Sequence, residues 1–368
     1  MRSSRFLFGI AALVVGVMAN AASAQTVIYW KQTQSFPQPS NHYKYPVNRT
    51  SAQFNTYPSE TGNPSGLSTY PGGRQFIADY TLDPAFYGFI PGTNLPLRVG
   101  VMMPETGGDG VLLTAFGFFF APPQPIEYQE RSEFRWASNN SDAFLTFQAL
   151  EPVANVHHVY RYNGSKAALF SPSFSPFSQT DVLPAPPPGP RLVLVTTLSA
   201  DSFTNDWNSN GTKLMFSTPA PFGFLTRIRN TATSTTSTVN DPAVSGFSLR
   251  NPVFSPTDPN LAIAVAETPG GVRGLASFNI TTFAFTWILK EGGVGNARIW
   301  NFTSPQVKPD GTTLAFTMSR IAKIGTRTGP APSLATIPIT GGAPTILWTQ
   351  GLNLGSNPFE VTAWVNSP

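Results

Sequence analysis

The sequence predicts an all-β chain of the β-propeller type, and three observations carry that prediction. Short runs rich in Val, Ile, Phe, Thr and Leu are bounded by Asn-Gly, Asp-Gly, Pro-Asp or Gly-Gly pairs, the mark of antiparallel strands joined by tight turns. The 36 prolines and 31 glycines are spread almost evenly, so helical apolar spacing is not sustained beyond two turns and long helices are not expected. One hairpin cassette is written several times at intervals close to a propeller blade, about 40 to 50 residues for four strands. The expected ring has six blades, with seven as the alternative.

The strands come first. Residues 192–197, 213–217, 261–266, 313–318 and 345–348 are the clearest β runs. The cassette is read from three copies. Trp207-Asn208-Ser209-Asn210-Gly211-Thr212-Lys213-Leu214 lines up with Val307-Lys308-Pro309-Asp310-Gly311-Thr312-Thr313-Leu314, and with the stretch from Phe254 to Leu261. In each, a large apolar residue precedes a Leu by seven positions across a polar turn. That pattern is a hairpin whose turn accepts positive φ and whose flanks face one core. A looser copy starts at Trp136, a truncated one at Trp364 ends the sequence, and residues 69–78 form a degenerate one. The spacings from Trp136 to Trp207, Phe254, Val307 and Trp364 are 71, 47, 53 and 57 residues. The longest gap holds Pro184-Ala185-Pro186-Pro187-Pro188-Gly189-Pro190, a stiff stretch that lengthens a loop. Repeats lie on both sides of it, so residues 25–368 are expected to form one domain.

The N-terminus carries an export signal. Arg2 and Arg5 precede an apolar run from Phe6 to Met18, and Ala22-Ser23-Ala24 stands before Gln25. Cations, a short apolar segment and small residues at a cleavage position are the three parts of a signal peptide, here residues 1–24. At about 1.5 Å per residue the run covers about 20 Å, too little for a hydrocarbon core of about 30 Å. Later apolar runs are broken by Pro, Gly or polar residues, so no integral membrane segment is expected after cleavage.

Composition excludes several function classes. Charged residues make up 11% of the chain, against about 25% in an average soluble domain. The formal net charge is +4, and the 23 Lys and Arg residues are scattered singly. No cluster tracks phosphates, so nucleic acid is not an expected partner. There is no cysteine, which removes thiolate catalysis and Cys-ligated metals, and leaves the oxidising compartment implied by export unused for disulfides.

The repeats resemble the Ser-Pro-Asp-Gly-Lys-x-Leu-Ala-Phe unit of TolB-type, WD40-like periplasmic propellers. The match is best from Val307 to Phe316 and continues through Ala335-Thr336-Ile337-Pro338-Ile339-Thr340-Gly341-Gly342. It runs from about Phe134 to the end, and the first hundred residues match poorly. Two departures stand out: Asn208-Ser209-Asn210 replaces Ser-Pro-Asp, and Asp258-Pro259 replaces Asp-Gly. The resemblance implies a ring closed by pairing one chain end with strands from the other, which suits the truncated copy at Trp364 and the orphan run Thr26-Val27-Ile28-Tyr29-Trp30.

Catalytic candidates are sparse. The three histidines are His42, His157 and His158; the adjacent pair on a strand would point to opposite faces and could not share one ion. No Gly-x-Ser-x-Gly elbow occurs, which argues against a serine hydrolase. Asp206, Asp258 and Asp310 flank repeat turns and read as side chains that bond their own backbone. Asp79, Asp83, Glu127, Glu130 and Glu133 are weak acid candidates in the unmatched part. Gly107-Gly108-Asp109-Gly110 reads as a turn in preference to a calcium loop. Phe116-Gly117-Phe118-Phe119-Phe120, with Trp30, Tyr43 and Tyr45, could form an aromatic platform, but 29 Phe against 10 Tyr favours core packing.

No catalytic residue is assigned, and no cofactor or metal is expected. The favoured expectation is a periplasmic or extracellular propeller, non-enzymatic, that binds a protein or polysaccharide partner through its loop face or central funnel. The alternatives are a secreted propeller enzyme of the lyase or glycoside hydrolase type, and a carbohydrate-binding module.

Overall fold

Alternation of apolar and polar residues across tight turns builds the chain into antiparallel hairpins. The structure, a computed structural model, describes the strands named below, together with residues 163–169, 171, 173–174, 191, 201–293, 295–352 and the helical turns within them. The proposed signal segment 1–24, the proline run 184–190, Asp83, residues 107–110, Phe116–Phe120, Glu127 and Glu130 lie outside the described residues.

Six four-stranded antiparallel sheets account for the described strands. In the first, β1 (Thr26–Gln32), β2 (Asn41–Pro46) and β3 (Ala52–Thr56) follow the C-terminal β24 (Phe359–Asn366) in the order β24-β1-β2-β3. The second is β4 (Asn63–Thr69), β5 (Gln75–Thr81), β6 (Arg98–Pro104) and β7 (Val111–Leu112). The third is β8 (Arg131–Ala137), β9 (Phe144–Glu151), β10 (Val156–Tyr162) and β11 (Leu192–Ser199). The fourth is β12 (Phe203–Trp207), β13 (Lys213–Pro219), β14 (Phe224–Asn230) and β15 (Thr235–Asn240). The fifth is β16 (Ser248–Phe254), β17 (Leu261–Glu267), β18 (Arg273–Asn279) and β19 (Phe285–Lys290). The sixth is β20 (Ile299–Val307), β21 (Thr313–Ile324), β22 (Arg327–Pro338) and β23 (Thr345–Thr349).

Strands β24, β4, β8, β12, β16 and β20 each touch the next in that cyclic order, β20 returning to β24. This is the architecture of an all-β propeller. A count of five blades for this arrangement differs from the six or seven expected from the repeats, and from the six sheets that the hydrogen bonds define. The ring closes where β1 pairs antiparallel with β24, Ile28 opposite Trp364. Inside that seam the Trp30 ring lies 4.7 Å from Trp348 and 5.3 Å from Phe359.

The cassette is the first hairpin of the third to sixth sheets, and its truncated copy lies in β24. Trp136, Trp207, Phe254, Val307 and Trp364 all lie in innermost strands, and Leu214, Leu261 and Leu314 lie at or next to the start of second strands. Each anchor packs against the sheet before its own. Trp136 shares a buried cluster with Ile77 and Met102, Trp207 with Val159 and Leu198, and Phe254 with Met215 and Ile228. Val307 meets Val253 and Ile263, and Trp364 meets Ala315 and Leu334. One apolar position per repeat therefore fills one inter-sheet seam, and burial of such side chains is the main term holding the ring. The proline-rich insertion falls between β10 and β11, whose ends are tied by Asn163 N–H donating to the Arg191 carbonyl at 2.8 Å. Among the described residues, no helix is long and apolar enough to cross a membrane.

Candidate binding face

The innermost strands are irregular, and the irregularity is polar. β16 shifts register between Arg250 and Val253, and β20 shifts twice between Trp300 and Gln306. Asn251, Asn301 and Ser304 sit there at φ of 47°, 55° and 43°. Bulged strands take up extra residues in this way and re-aim their side chains. Asn251 Nδ2 donates to Ser304 Oγ at 3.2 Å, from one sheet to the next.

A belt of such bonds runs between neighbouring sheets. Trp207 Nε1 donates to Thr146 Oγ1 at 3.0 Å. Asp206 Oδ1 accepts its own strand's Trp207 N–H, and Oδ2 accepts the N–H of Phe254 in the next sheet, both at 2.8 Å. Glu291 Oε1 accepts Phe302 N–H at 3.0 Å. Thr303 and Thr317 hydroxyls both donate to the Phe359 carbonyl, at 2.9 and 2.7 Å. The structure thus corrects the expectation for Asp206, which joins two sheets and is no turn group. Asp258 and Asp310 do serve their turns, accepting the N–H of Asn260 and Thr312 at 2.9 and 3.0 Å. Burial pushes the Asp310 carboxyl up, but hydrogen bonds from Lys308 and Thr312 and the Lys308 charge outweigh it and leave the group below its ordinary range.

His157 and His158 face opposite ways, as alternation requires. His157 is buried, and its Nδ1 lies 3.0 Å from the Ser202 carbonyl. Since the carbonyl can only accept, Nδ1 carries the proton. The same carbonyl accepts Gln148 Nε2 at 3.3 Å. His158 Nδ1 lies 2.9 Å from Thr197 Oγ1, its cross-strand partner. Among the described residues no group of three His, Asp or Glu side chains could hold a metal ion. For His42, Tyr43, Asp79 and Glu133 the structure describes strand placement alone.

The residues that sequence reasoning missed are cations at the end of the ring where innermost strands begin. An ion chain runs from Arg250 to Glu267 at 3.2 Å, from Glu267 to Arg273 at 3.9 Å, and from Arg273 to Glu291 at 4.0 Å. Beyond it, Arg298 covers the Trp300 ring at 5.0 Å and Lys290 covers Trp287 at 5.5 Å. Arg320, Lys323 and Arg327 follow on β21 and β22, and none of these five cations meets a carboxylate among the described residues. A signal existed: the sequence has no Asp or Glu from Gly292 to Pro309 or from Gly311 to Phe359. Scattered singly along the chain, the cations gain a common face only when strand ends are brought together.

The described groups can bind by hydrogen bond and by charge. No paired acids and no nucleophile held against an oriented base and an oxyanion hole are seen among them, the arrangement acid–base or nucleophilic catalysis needs.

No protein-family model and no curated protein matches the sequence. Among solved structures the chain is similar to TolB from Acinetobacter baumannii at a TM-score of 0.56 and 10% identity, covering 93% of this chain and 66% of that one. It thus spans just under two thirds of the length of that TolB. A TolB structure from Agrobacterium tumefaciens matches at a TM-score of 0.53 and 10% identity, over 88% of this chain and 89% of that one. Oligogalacturonate lyase from Vibrio parahaemolyticus follows at 0.44 and 10% identity, over 86% and 73% of the two chains, a likeness too low to bear on activity. These similarities establish a TolB-like propeller fold and nothing finer.

Proposed function

We propose that this is an exported, non-enzymatic propeller that binds a protein or polymer partner through its loop face or central funnel. In this reading residues 1–24 direct export to the periplasm or the cell exterior, and residues 25–368 form one domain of six blades. The cyclic contacts of six innermost strands support the blade count. The observation that carries the function is the use made of carboxylates near those strands. Both oxygens of Asp206 and one of Glu291 accept backbone N–H groups, so they tie sheets together and are not poised as acid or base. The exposed cations Arg298, Lys323 and Arg327 are suited to recognition.

The test uses purified protein in two parallel arms. One immobilises it as bait for proteins and glycans of the source cell's exported fraction; the expected result is a saturable partner whose binding weakens with salt. The other incubates it with oligogalacturonides, lactones and peptides, where no turnover is expected. Turnover of any of these at an enzymatic rate overturns the reading.

A further inference from the structure

Strands β21 and β22 are each 12 residues long, whereas their counterparts β13, β14, β17 and β18 have 7. The last residue of β21 paired to β20 is Arg320, opposite Ile299, and the last of β22 paired to β23 is Ser333, opposite Thr349. Beyond these, the strand partners of Ile321 to Ile324 among the described residues are Arg327 to Pro330. The result is a two-stranded ribbon that extends past its sheet at the end where β20 begins, turned by Gly325 at φ 61°. Five additional residues at about 3.3 Å each amount to about 17 Å.

The two edges of this ribbon differ. Ile321 N–H donates to the Arg298 carbonyl, away from β22, so Ile321 and Pro330 form a pair whose backbone groups point outward. Pro330 therefore sits where an outward donor would be, and so does Pro332, whose carbonyl accepts Gln350 N–H at 2.9 Å. The β22 edge is blunted by proline, a standard protection against strand addition. The β21 edge is not. Its next outward residue is Lys323, paired with Thr328, and the Lys323 backbone N–H and C=O meet no partner among the described residues. Before Arg298 the chain enters a 3-10 turn, Gly295–Ala297, which packs against β21; among the described residues no strand pairs with the β21 edge at Lys323. Lys323 and Ile324 are exposed on this edge, with Arg298 beside it and Arg327 across the ribbon, and no acid occurs in the ribbon.

We propose that the β21 edge of the ribbon is a docking strand for an extended, acidic polypeptide segment of a partner protein. The segment adds as a third strand, taking the Lys323 N–H and C=O, while the carboxylates on one of its faces meet Lys323 and Arg298. Ile324, 43% exposed at the tip, offers an apolar contact for an alternate side chain. A polyanionic sugar would use the charges but not the backbone edge. The proposal rests on the reading of a partner-binding propeller, and because the ribbon is one hairpin at the end of one sheet, its failure would leave binding through the other loops or the funnel standing.

The test titrates purified protein with a peptide alternating Glu with Val and Thr, with the same composition carrying a proline at every third position, and with oligogalacturonate. Saturable binding of the first peptide is expected, with at least tenfold weaker binding of the other two. Lys323→Ala should weaken it several-fold and flatten its salt dependence. Lys323→Pro, which removes the outward donor as Pro330 does opposite, should abolish it. Hydrogen exchange of the parent protein reads the edge without substitution: the Lys323 amide should exchange at least tenfold more slowly with peptide bound. Equal binding of the proline-broken peptide, preference for oligogalacturonate, unchanged binding by folded Lys323→Pro, or an unprotected Lys323 amide would each overturn the proposal.

Discussion

Asp206 accepts the backbone N–H of Phe254 at 2.8 Å, so a carboxylate of one innermost strand holds the anchor of the next sheet. Its other oxygen accepts the Trp207 N–H. The two anchors of successive repeats are thereby fixed by one side chain, at a seam where apolar packing alone would leave their sliding less constrained. Asp206→Ala removes both acceptors and should cost about 1–3 kcal/mol in chemical denaturation. Asp206→Asn keeps one acceptor and should cost less. Equal stability of all three proteins would show that the clamp contributes nothing.

The repeated anchors should behave alike, because each fills a seam against the preceding sheet. Trp207 is 3% exposed and donates to Thr146. Trp207→Ala is expected to cost about 3–5 kcal/mol, and Phe254→Ala a similar amount. Thermal melts followed by near-ultraviolet dichroism would check this. A loss below about 1 kcal/mol at either site would contradict the seam's role.

Two turn glycines separate backbone strain from crowding. Gly311 has φ 75°, and a Cβ there would lie 2.0 Å from Thr257 Oγ1 of the neighbouring sheet; Gly271 has the same φ and open space around it. Gly271→Ala should cost about 1 kcal/mol, from φ alone. Gly311→Ala should cost more, and Thr257→Ala should recover part of the difference. Denaturation midpoints of the three variants and the double variant decide it.

The pH dependence of one turn follows from its sign. A carboxyl held below its ordinary range in the folded state stabilises the fold above the unfolded pKa of about 4. That contribution is lost as pH falls through the folded value. Asp310, half-exposed beside Lys308 and hydrogen-bonded by Thr312, is such a group. Asp310→Asn should therefore be less stable than the parent at pH 7 by under about 1 kcal/mol, with the gap closing below about pH 4. A gap that persists unchanged in acid would assign the effect to turn geometry.

Much of this architecture was legible because its signal is periodic. Trp207, Phe254 and Val307 precede their leucines by the same interval, and each occupies the equivalent seam. The run Thr26-Val27-Ile28-Tyr29-Trp30 read as an orphan strand; it pairs with the truncated copy at Trp364 on one side and with β2 on the other. The ribbon was not legible. Residues 313–318 read as a strand of ordinary length, and nothing in Ser319 to Pro332 separates a loop from two strands that continue with only each other as partners. Pro330 and Pro332 are tolerated in β22 because their N atoms face outward, where no ladder donor is required.

By itself the sequence determined the class: β runs, turn residues and a recurring apolar anchor admit a ring of antiparallel hairpins and little else, because burial of each anchor needs a neighbouring copy. Tertiary structure decided what each polar and charged group does. Asp206 became an inter-sheet clamp, His157 a carbonyl partner, and the isolated cations Arg298, Lys323 and Arg327 neighbours at one end of a sheet. The physical reason is distance. Periodicity is a property of residues close along the chain, whereas a hydrogen bond or a field depends on groups that only closure of the ring brings within a few ångströms.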